Sequence, residues 1–424
     1  MSSQTNFIAD AESPKEQSKL FHKDFNLVVI GQIISLFGNA ILRFALPLYI
    51  LQESGSAALF GLVSACAFIP MIVLSPIGGT IADRVNKQRI MVVLDFFTAL
   101  IIMAFIVASG YFSVVPLVIV FLMLLYGIQG AYTPAVQASL PLLANGENIV
   151  RANAIVSLVT NLSGILGPAI GGMLFGRYGL YPILIVGFGC FVFSAVMELF
   201  IKIPHRRQVS TGGIFEIAKN DLALSMRFIL KEKPIMAKLI GIIFSFNLFM
   251  GAMLNVGIPV IITQILGMSN ELYGISQGFL SAGALIGGLM VGVIAKKLKI
   301  QQSYLFLVVC AIGFIPIAIS LLLDVSAFIS YIVVTAMCFF MTASYTLFSV
   351  QLMAFVQMQT PAEIVGKVIA WLLALVICAQ PIGQALYGLL FENLAGLPWA
   401  IVFGAALISG IIAVFAKATF NKLR

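Results

Sequence analysis

Three ionisable side chains sit inside long apolar runs of the sequence: Arg43, Asp95 and Glu198. A charge placed in hydrocarbon is costly, so position alone makes each a functional candidate. At 1.5 Å per helical residue, Arg43 stands about 26 Å beyond Asn26, deep in its run. Asp95 and Glu198 fall nearer the ends of theirs and are expected to be peripheral. Asp95 is placed to pair with Arg84, Arg89 or Arg151, and it is also the carboxyl group best placed to carry a proton. Asn39 and Arg43 are four residues apart and share a helix face, with Gln32 seven before Asn39 on the same side. Such a stripe offers hydrogen bonds and one positive charge. Arg43 can attract a carboxylate or an anionic headgroup, or neutralise a nearby helix end. His22 and His205 lie outside the runs, which leaves no histidine relay within them. Cys66, Cys190, Cys310, Cys338 and Cys378 sit in apolar runs without metal-site spacing and read as small core residues. The sequence holds no phosphate loop, metal cluster or nucleophile–base–acid set. Neither a metal, a cofactor nor enzymatic catalysis is expected.

The elements that must position these groups follow from composition. Of the 424 residues, 9% are charged and 61% apolar, and the mean hydropathy is +1.09. Ordinary soluble domains carry about 25% charged and 45–50% apolar residues. A soluble enzyme, a nucleic-acid-binding module and a disordered chain are thereby excluded. Crossing a hydrocarbon layer about 30 Å thick takes roughly 20 mostly apolar residues. Twelve runs meet that length: 26–51, 58–81, 90–109, 114–140, 152–175, 181–203, 235–263, 273–295, 304–323, 327–350, 368–391 and 398–416. They are continuous rather than alternating, so they read as helices and not as barrel strands. The expected fold class is an all-α integral membrane protein with 12 transmembrane helices.

The net charge of +8 carries topology. All but two of the 24 Lys and Arg residues, Arg43 and Arg177, fall on one side of the layer. Basic residues stay on the cytoplasmic side. Both termini are therefore expected to be cytoplasmic in a multi-pass protein of the cell membrane. The expected organisation is a tail (1–24), a six-helix bundle (25–203), a central loop (204–234), a second bundle (235–416) and a short tail (417–424). Within the loop, Ile214, Ala218, Leu222, Met226 and Ile229 recur at helical spacing, which suits an amphipathic helix on the inner membrane surface.

The two halves repeat. Leu46-Pro47-Leu48 matches Ile258-Pro259-Val260 and Leu59-Phe60-Gly61 matches Leu272-Tyr273-Gly274. Val136-Gln137 matches Val350-Gln351, and Gly172-Met173-Leu174-Phe175 matches Gly388-Leu389-Leu390-Phe391. The offset drifts only from 212 to 216. Parallel repeats of this kind are a feature of transporters that work about a central site.

Gly78-Gly79-Thr80-Ile81-Ala82-Asp83-Arg84-Val85-Asn86-Lys87-Gln88-Arg89 resembles the signature loop of the major facilitator superfamily. Gly164-Ile165-Leu166-Gly167-Pro168-Ala169-Ile170-Gly171-Gly172 resembles the Gly-Pro motif of its exporters. Tyr132-Thr133-Pro134-Ala135 with Arg151-Ala152-Asn153-Ala154 is similar to the macrolide-efflux and siderophore-exporter branch. The resemblance implies two six-helix bundles and a gating latch of Gly79, Asp83, Arg84, Lys87 and Arg89 against the start of helix 11, near residues 363–367. It implies helix packing through Gly164, Gly167, Pro168, Gly171 and Gly172. In the second half, Lys296 and Lys297 stand where Asp83 and Arg84 do, so the latch is one-sided.

The superfamily lines its cavity with helices 1, 4, 7 and 10. The polar residues there are Gln32, Asn39, Arg43, Gln129, Tyr132, Gln137, Asn247, Asn255, Tyr345 and Gln351, with Gln380 and Gln384 from helix 11. With 34 Phe and 17 Met for the walls, such a cavity suits an amphiphilic organic solute better than a sugar or a divalent ion. The implied activity is export of macrolide-like drugs or siderophore-like metabolites by alternating access, with proton antiport. Helix 1 of this branch often carries an acid near Asn39, and the amide here puts a carrier role at that position in doubt. A lipid or lysophospholipid translocator and a non-transporting sensor or assembly partner are the alternatives. The expected partners are an amphiphilic small molecule, protons and the lipid bilayer, without nucleic acid, in a monomer.

Overall fold

The computed structural model describes residues 23–144, 148–203, 226–294, 300–361 and 364–422. The central-loop helix expected over 214–229 falls mostly outside them. Twelve helices among the described residues are long and apolar enough to cross a membrane. They are α1 (Lys23–Ser54), α2 (Ala57–Arg84), α3 (Lys87–Ala108), α4 (Val114–Leu143), α5 (Asn148–Tyr178), α6 (Leu180–Leu199), α7 (Pro234–Ile265), α8 (Asn270–Ile294), α9 (Tyr304–Leu322), α10 (Ala327–Gln359), α11 (Val365–Asn393) and α12 (Pro398–Phe420).

Short polar junctions set the boundaries. Ser56 caps α2 by accepting from the Leu59 amide, Asn86 caps α3 through the Gln88 amide, and Ser326 caps α10 through the Ile329 amide. Each satisfies a donor that a helix start leaves without a partner. Gly179 joins α5 to α6 at φ +74°, a backbone shape that side-chain-bearing residues rarely adopt.

α7 departs from regular winding. Wide π turns cover Asn247–Gly251, Met253–Gly257 and Val260–Ile265. Asn247, Asn255 and Thr263 each donate a side-chain hydrogen bond to the carbonyl four residues back, and Pro259 supplies no backbone donor. Both effects compete with the ordinary ladder and loosen its turns.

α1–α6 form one bundle. In it α1 packs on α5 and α6, α2 on α4, and α3 on α4 and α6. α7–α12 form the other, with α8 on α10, α9 on α10 and α12, and α7 on α11. The bundles meet through two seams that the repeat makes equivalent, α2 with α11 and α5 with α8. Each seam closes on a glycine pair. A Cβ on Gly61 would lie 2.8 Å from the Gly388 Cα, and one on Gly172 would lie 2.7 Å from the Gly274 Cα. Only missing side chains allow backbones so near.

Both glycine pairs lie toward the face opposite the termini, where α2 and α8 begin and α5 and α11 end. Polar links cluster there too. Glu392 accepts from the Ser56 hydroxyl and the Ala58 amide at 3.1 and 3.2 Å. Gln264 donates to the Gly55 carbonyl at 3.1 Å and Asn270 to the Gln52 side chain at 3.2 Å. Deeper in the seam, Ser281 donates to the Gly164 carbonyl at 2.8 Å. Pro168 has no N–H to engage that carbonyl within α5, so a hydroxyl from the opposite bundle satisfies it.

Candidate substrate cavity and buried polar clusters

Below the closed face lies a cavity of about 210 Å³ between the bundles. α1 contributes Arg43, Phe44, Pro47 and Leu48, and α2 contributes Phe60, Ser64 and Phe68. Tyr126 comes from α4, Asn255 from α7, Tyr273 and Gln277 from α8, and Gln384 from α11. The Arg43 guanidinium carbon sits 3.7 Å from the centre of the Tyr126 ring, a close cation–π stack. Phe44 stacks on Tyr273 across the bundle boundary with ring centres 5.0 Å apart. A groove of about 670 Å³ on α9 and α12 is larger, but it is almost wholly apolar and offers no group to orient a ligand.

One buried polar cluster belongs to the first bundle. Gln32 of α1 donates to the Tyr132 hydroxyl of α4 at 2.6 Å, and that hydroxyl donates to Glu198 Oε1 of α6 at 2.8 Å. Ser35 of α1 donates to Asp95 Oδ1 of α3 at 3.1 Å. The second oxygen of each acid, Asp95 Oδ2 and Glu198 Oε2, is buried without a hydrogen-bond partner.

The expectation that these acids are peripheral is corrected, because Asp95 is 1% exposed and Glu198 0%. Two features bury Glu198. Gly31 has no side chain where the Glu198 stem passes. The Gln88 amide at the start of α3 donates to the Glu198 and Leu199 carbonyls and covers the end of α6. Arg89 and Arg151 point to the exterior, and among the described residues no ion pair holds Asp95.

A second cluster belongs to the other bundle and is neutral. Asn247 donates to the Tyr345 hydroxyl at 2.7 Å. Gln380 donates to Asn247 at 3.4 Å and accepts from Asn255 at 3.1 Å and from Gln384 at 3.4 Å. Tyr345 is held by stacking on Phe246, ring centres 5.6 Å apart. Gln384 is 2% exposed, and its Oε1 has no partner.

The expected cavity residues thus divide. Arg43, Asn255 and Gln384 line the 210 Å³ cavity. Gln32 and Tyr132 serve the acid cluster, while Asn247, Tyr345 and Gln380 serve the amide cluster. Asn39 bonds Gln129 at 2.9 Å, and Gln129 bonds Thr133 at 2.8 Å. Gln137 is exposed. Gln351 accepts from Ser303 at 2.5 Å, a bond that ties α10 to the start of α9 away from the cavity.

Sequence reasoning missed Ser35, Tyr126, Tyr273 and Gln277. Spacing marks two of them. Ser35 continues the Gln32, Asn39, Arg43 stripe, and Gln277 lies four after Tyr273 and bonds its hydroxyl at 2.8 Å.

The motif glycines also sort by face. Gly167 meets Ala40 and Gly171 meets Phe44 and Ile41, all on α1 of the same bundle, while Gly172 and the Pro168 carbonyl meet Gly274 of the other. Gly79 of the latch motif has open space around it. A Cβ there meets nothing within 4 Å, and Gly78 is the tight contact, 2.5 Å from the Ala131 Cα of α4. The side chains of Asp83, Arg84 and Lys367, and residue 363, lie outside the described residues. Lys87 is buried and Arg89 exposed.

A model of the Major Facilitator Superfamily matches residues 28–372. The chain belongs to the Major Facilitator Superfamily. Several members are similar along most of their length. Macrolide efflux protein A of Streptococcus pyogenes is 23% identical over 391 residues, 91% of this chain and 93% of that protein. The multidrug efflux pump Tap of Mycolicibacterium fortuitum is 24% identical over 398 residues, 92% and 94%. The staphyloferrin A transporter of Staphylococcus aureus is 24% identical over 276 residues, 65% and 68%. Among solved structures, a bacterial homologue of the human lysosomal transporter Spinster, in an inward-facing and unoccupied conformation, superposes with a TM-score of 0.71. It shares 15% identity and covers 97% of this chain and 99% of its own. That likeness is one of fold. As a superfamily member the chain is a multi-pass membrane transporter, and the Arg43 cavity lies at its bundle interface.

Proposed function

We propose that this transporter exports amphiphilic organic compounds, macrolide-like drugs or siderophore-like metabolites, by alternating access coupled to proton antiport. The observation that carries the reading is the cavity between the bundles, sealed on one face by the Gly61–Gly388 and Gly172–Gly274 pairs. A site closed at one end by small residues on two matched seams is built to be opened there by rocking the bundles. The one-sided basic residues support cytoplasmic termini in a cell-membrane protein, and with that orientation the sealed face is the outer one and the described state faces inward.

The proton partner is assigned to Asp95 and Glu198, each with one buried oxygen free to take or release a proton. Asp83 is assigned to the inner latch that closes when the outer seams part. The macrolide, multidrug and staphyloferrin relatives support the substrate class. Arg43, a cation in a cavity otherwise lined by neutral groups among the described residues, favours one second reading, translocation of an anionic lipid by the same fold.

Reconstituted into liposomes, the protein is expected to move a fluorescent macrolide against its gradient when a pH gradient is imposed, and to stop when that gradient is collapsed. Transport that persists without the gradient removes proton coupling. No movement of any compound in a panel of macrolides and carboxylate siderophores removes export.

A further inference from the structure

Arg43 is a charge without an answer. Among the described residues it is the sole charged one lining the 210 Å³ cavity, where its polar company is neutral: Ser64, Asn255, Gln277 and Gln384. Among the described residues it forms no ion pair and no hydrogen bond; its one specific contact is the face of Tyr126 at 3.7 Å. Stacking fixes the plane of the guanidinium and leaves the N–H groups along its edge unengaged. In the interior of a membrane protein, an uncompensated cation with free donors is expensive to keep. A second group in the same cavity is also unanswered. Gln384 is nearly fully buried, and its Oε1 accepts no hydrogen bond.

We propose that Arg43, held by Tyr126, binds a carboxylate or phosphate group of the transported molecule, while Gln384 accepts from a hydroxyl or amide donor beside it. The planar fork of Arg matches both anions with paired hydrogen bonds, which a lysine cannot reproduce. Phe44, Phe60 and Phe68 give the apolar wall against which the adjoining carbon skeleton packs. The volume falls below the roughly 300–1,000 Å³ of sites that enclose a drug-sized ligand, so the cavity takes the anionic end and leaves the remainder between the bundles. The substrate class is therefore an organic anion with an apolar portion. This inference rests on the reading of the cavity as the transport site.

The test uses the full chain in neutral maltoside detergent, with apparent affinities read from ligand-dependent thermal unfolding. Octanoate and octyl phosphate are the anionic probes and octylammonium the cationic one. Lysophosphatidylglycerol against lysophosphatidylcholine is the lipid arm. The anions are expected to bind the wild type, and Arg43→Gln to weaken them roughly ten- to hundredfold. Arg43→Lys recovers part of the loss, and both variants keep the ligand-free melting temperature. Binding of lysophosphatidylglycerol alone, lost in Arg43→Gln, supports the same chemistry with a lipid phosphate as its source.

Equal binding of octylammonium and octanoate overturns the inference, as does anion binding unchanged in Arg43→Gln. A parallel liposome assay separates the two readings. Export of a carboxylate siderophore that is unaffected by Arg43→Gln overturns the anion site and leaves the transport function standing. Absence of all transport removes the function itself.

Discussion

The two bundles share a repeat but not a chemistry. In the first, a buried chain runs from Gln32 through Tyr132 to Glu198, with Ser35 and Asp95 beside it. In the second, Asn247, Tyr345, Gln380, Gln384 and Asn255 form a network of amides and one phenol. Ser35 and Asn247 are repeat partners at an offset of 212, so both networks grow from the same place on the first helix of each half. Over the whole range of repeat offsets, however, the positions matching Asp95 (307–311) and Glu198 (410–414) hold no acid. A network of amides can exchange partners at little cost, because each group is both donor and acceptor. A pair of buried carboxyl groups cannot do so without a change in its protons or its surroundings. Under the proposed antiport, the ion-linked step falls to the first bundle and adaptable hydrogen bonding to the second.

The largest effect should come from neutralising the acids. Glu198→Gln or Asp95→Asn is expected to remove the response of transport to an imposed pH gradient in liposomes. Gln380→Ala is expected to keep that response and change substrate affinity. If both classes of variant lose the response together, the division between bundles fails.

Next come the two tyrosines. Tyr132→Phe leaves two buried partners unsatisfied, the Gln32 amide and Glu198 Oε1, whereas Tyr345→Phe leaves one, the Asn247 amide. At about 1–3 kcal/mol for each buried group left unpaired, Tyr132→Phe should lower the melting temperature about twice as far. Equal shifts, measured by thermal unfolding in detergent, would remove the asymmetry.

The smallest effect lies on the seam between the halves. Ser281→Ala deprives the Gly164 carbonyl of its donor at the cost of one hydrogen bond, about 0.5–1.5 kcal/mol. The expected result is a modest shift of population away from the described arrangement. Spin labels at Ser54 and Asn393, on the closed face, read it as a longer mean distance. An unchanged distance distribution would mean that the bond has no part in the balance between states.

The legibility of the site in the sequence was uneven, and particular residues show why. The α1 stripe of Gln32, Asn39 and Arg43 was readable because helical spacing alone fixes which residues share a face. The burial of Asp95 and Glu198 was not. Distance from the end of an apolar run suggests an interface, yet Gln88 of the next helix covers the end of α6, and Gly31 of α1 yields room for the Glu198 stem. Which of the two adjacent motif glycines packs tightly was not legible either: it is Gly78 and not Gly79. Adjacent helical residues point about 100° apart, so only the placement of α4 decides which of the two meets it.

By itself, the sequence determined the twelve helices, the two-fold repeat and the scarcity of charge in the membrane. Each depends on local composition or on periodicity, and hydrocarbon leaves a long apolar run no option but a helix. The tertiary structure alone decided which polar groups find each other. Gln32 pairs with Tyr132 across 100 residues and Asn247 with Gln380 across 133. It also left Arg43 facing a cavity that, among the described residues, holds no counter-charge. Hydrogen bonds reach about 3 Å, so partners from distant helices are set by the packing angles of the bundles, which no single stretch of sequence encodes.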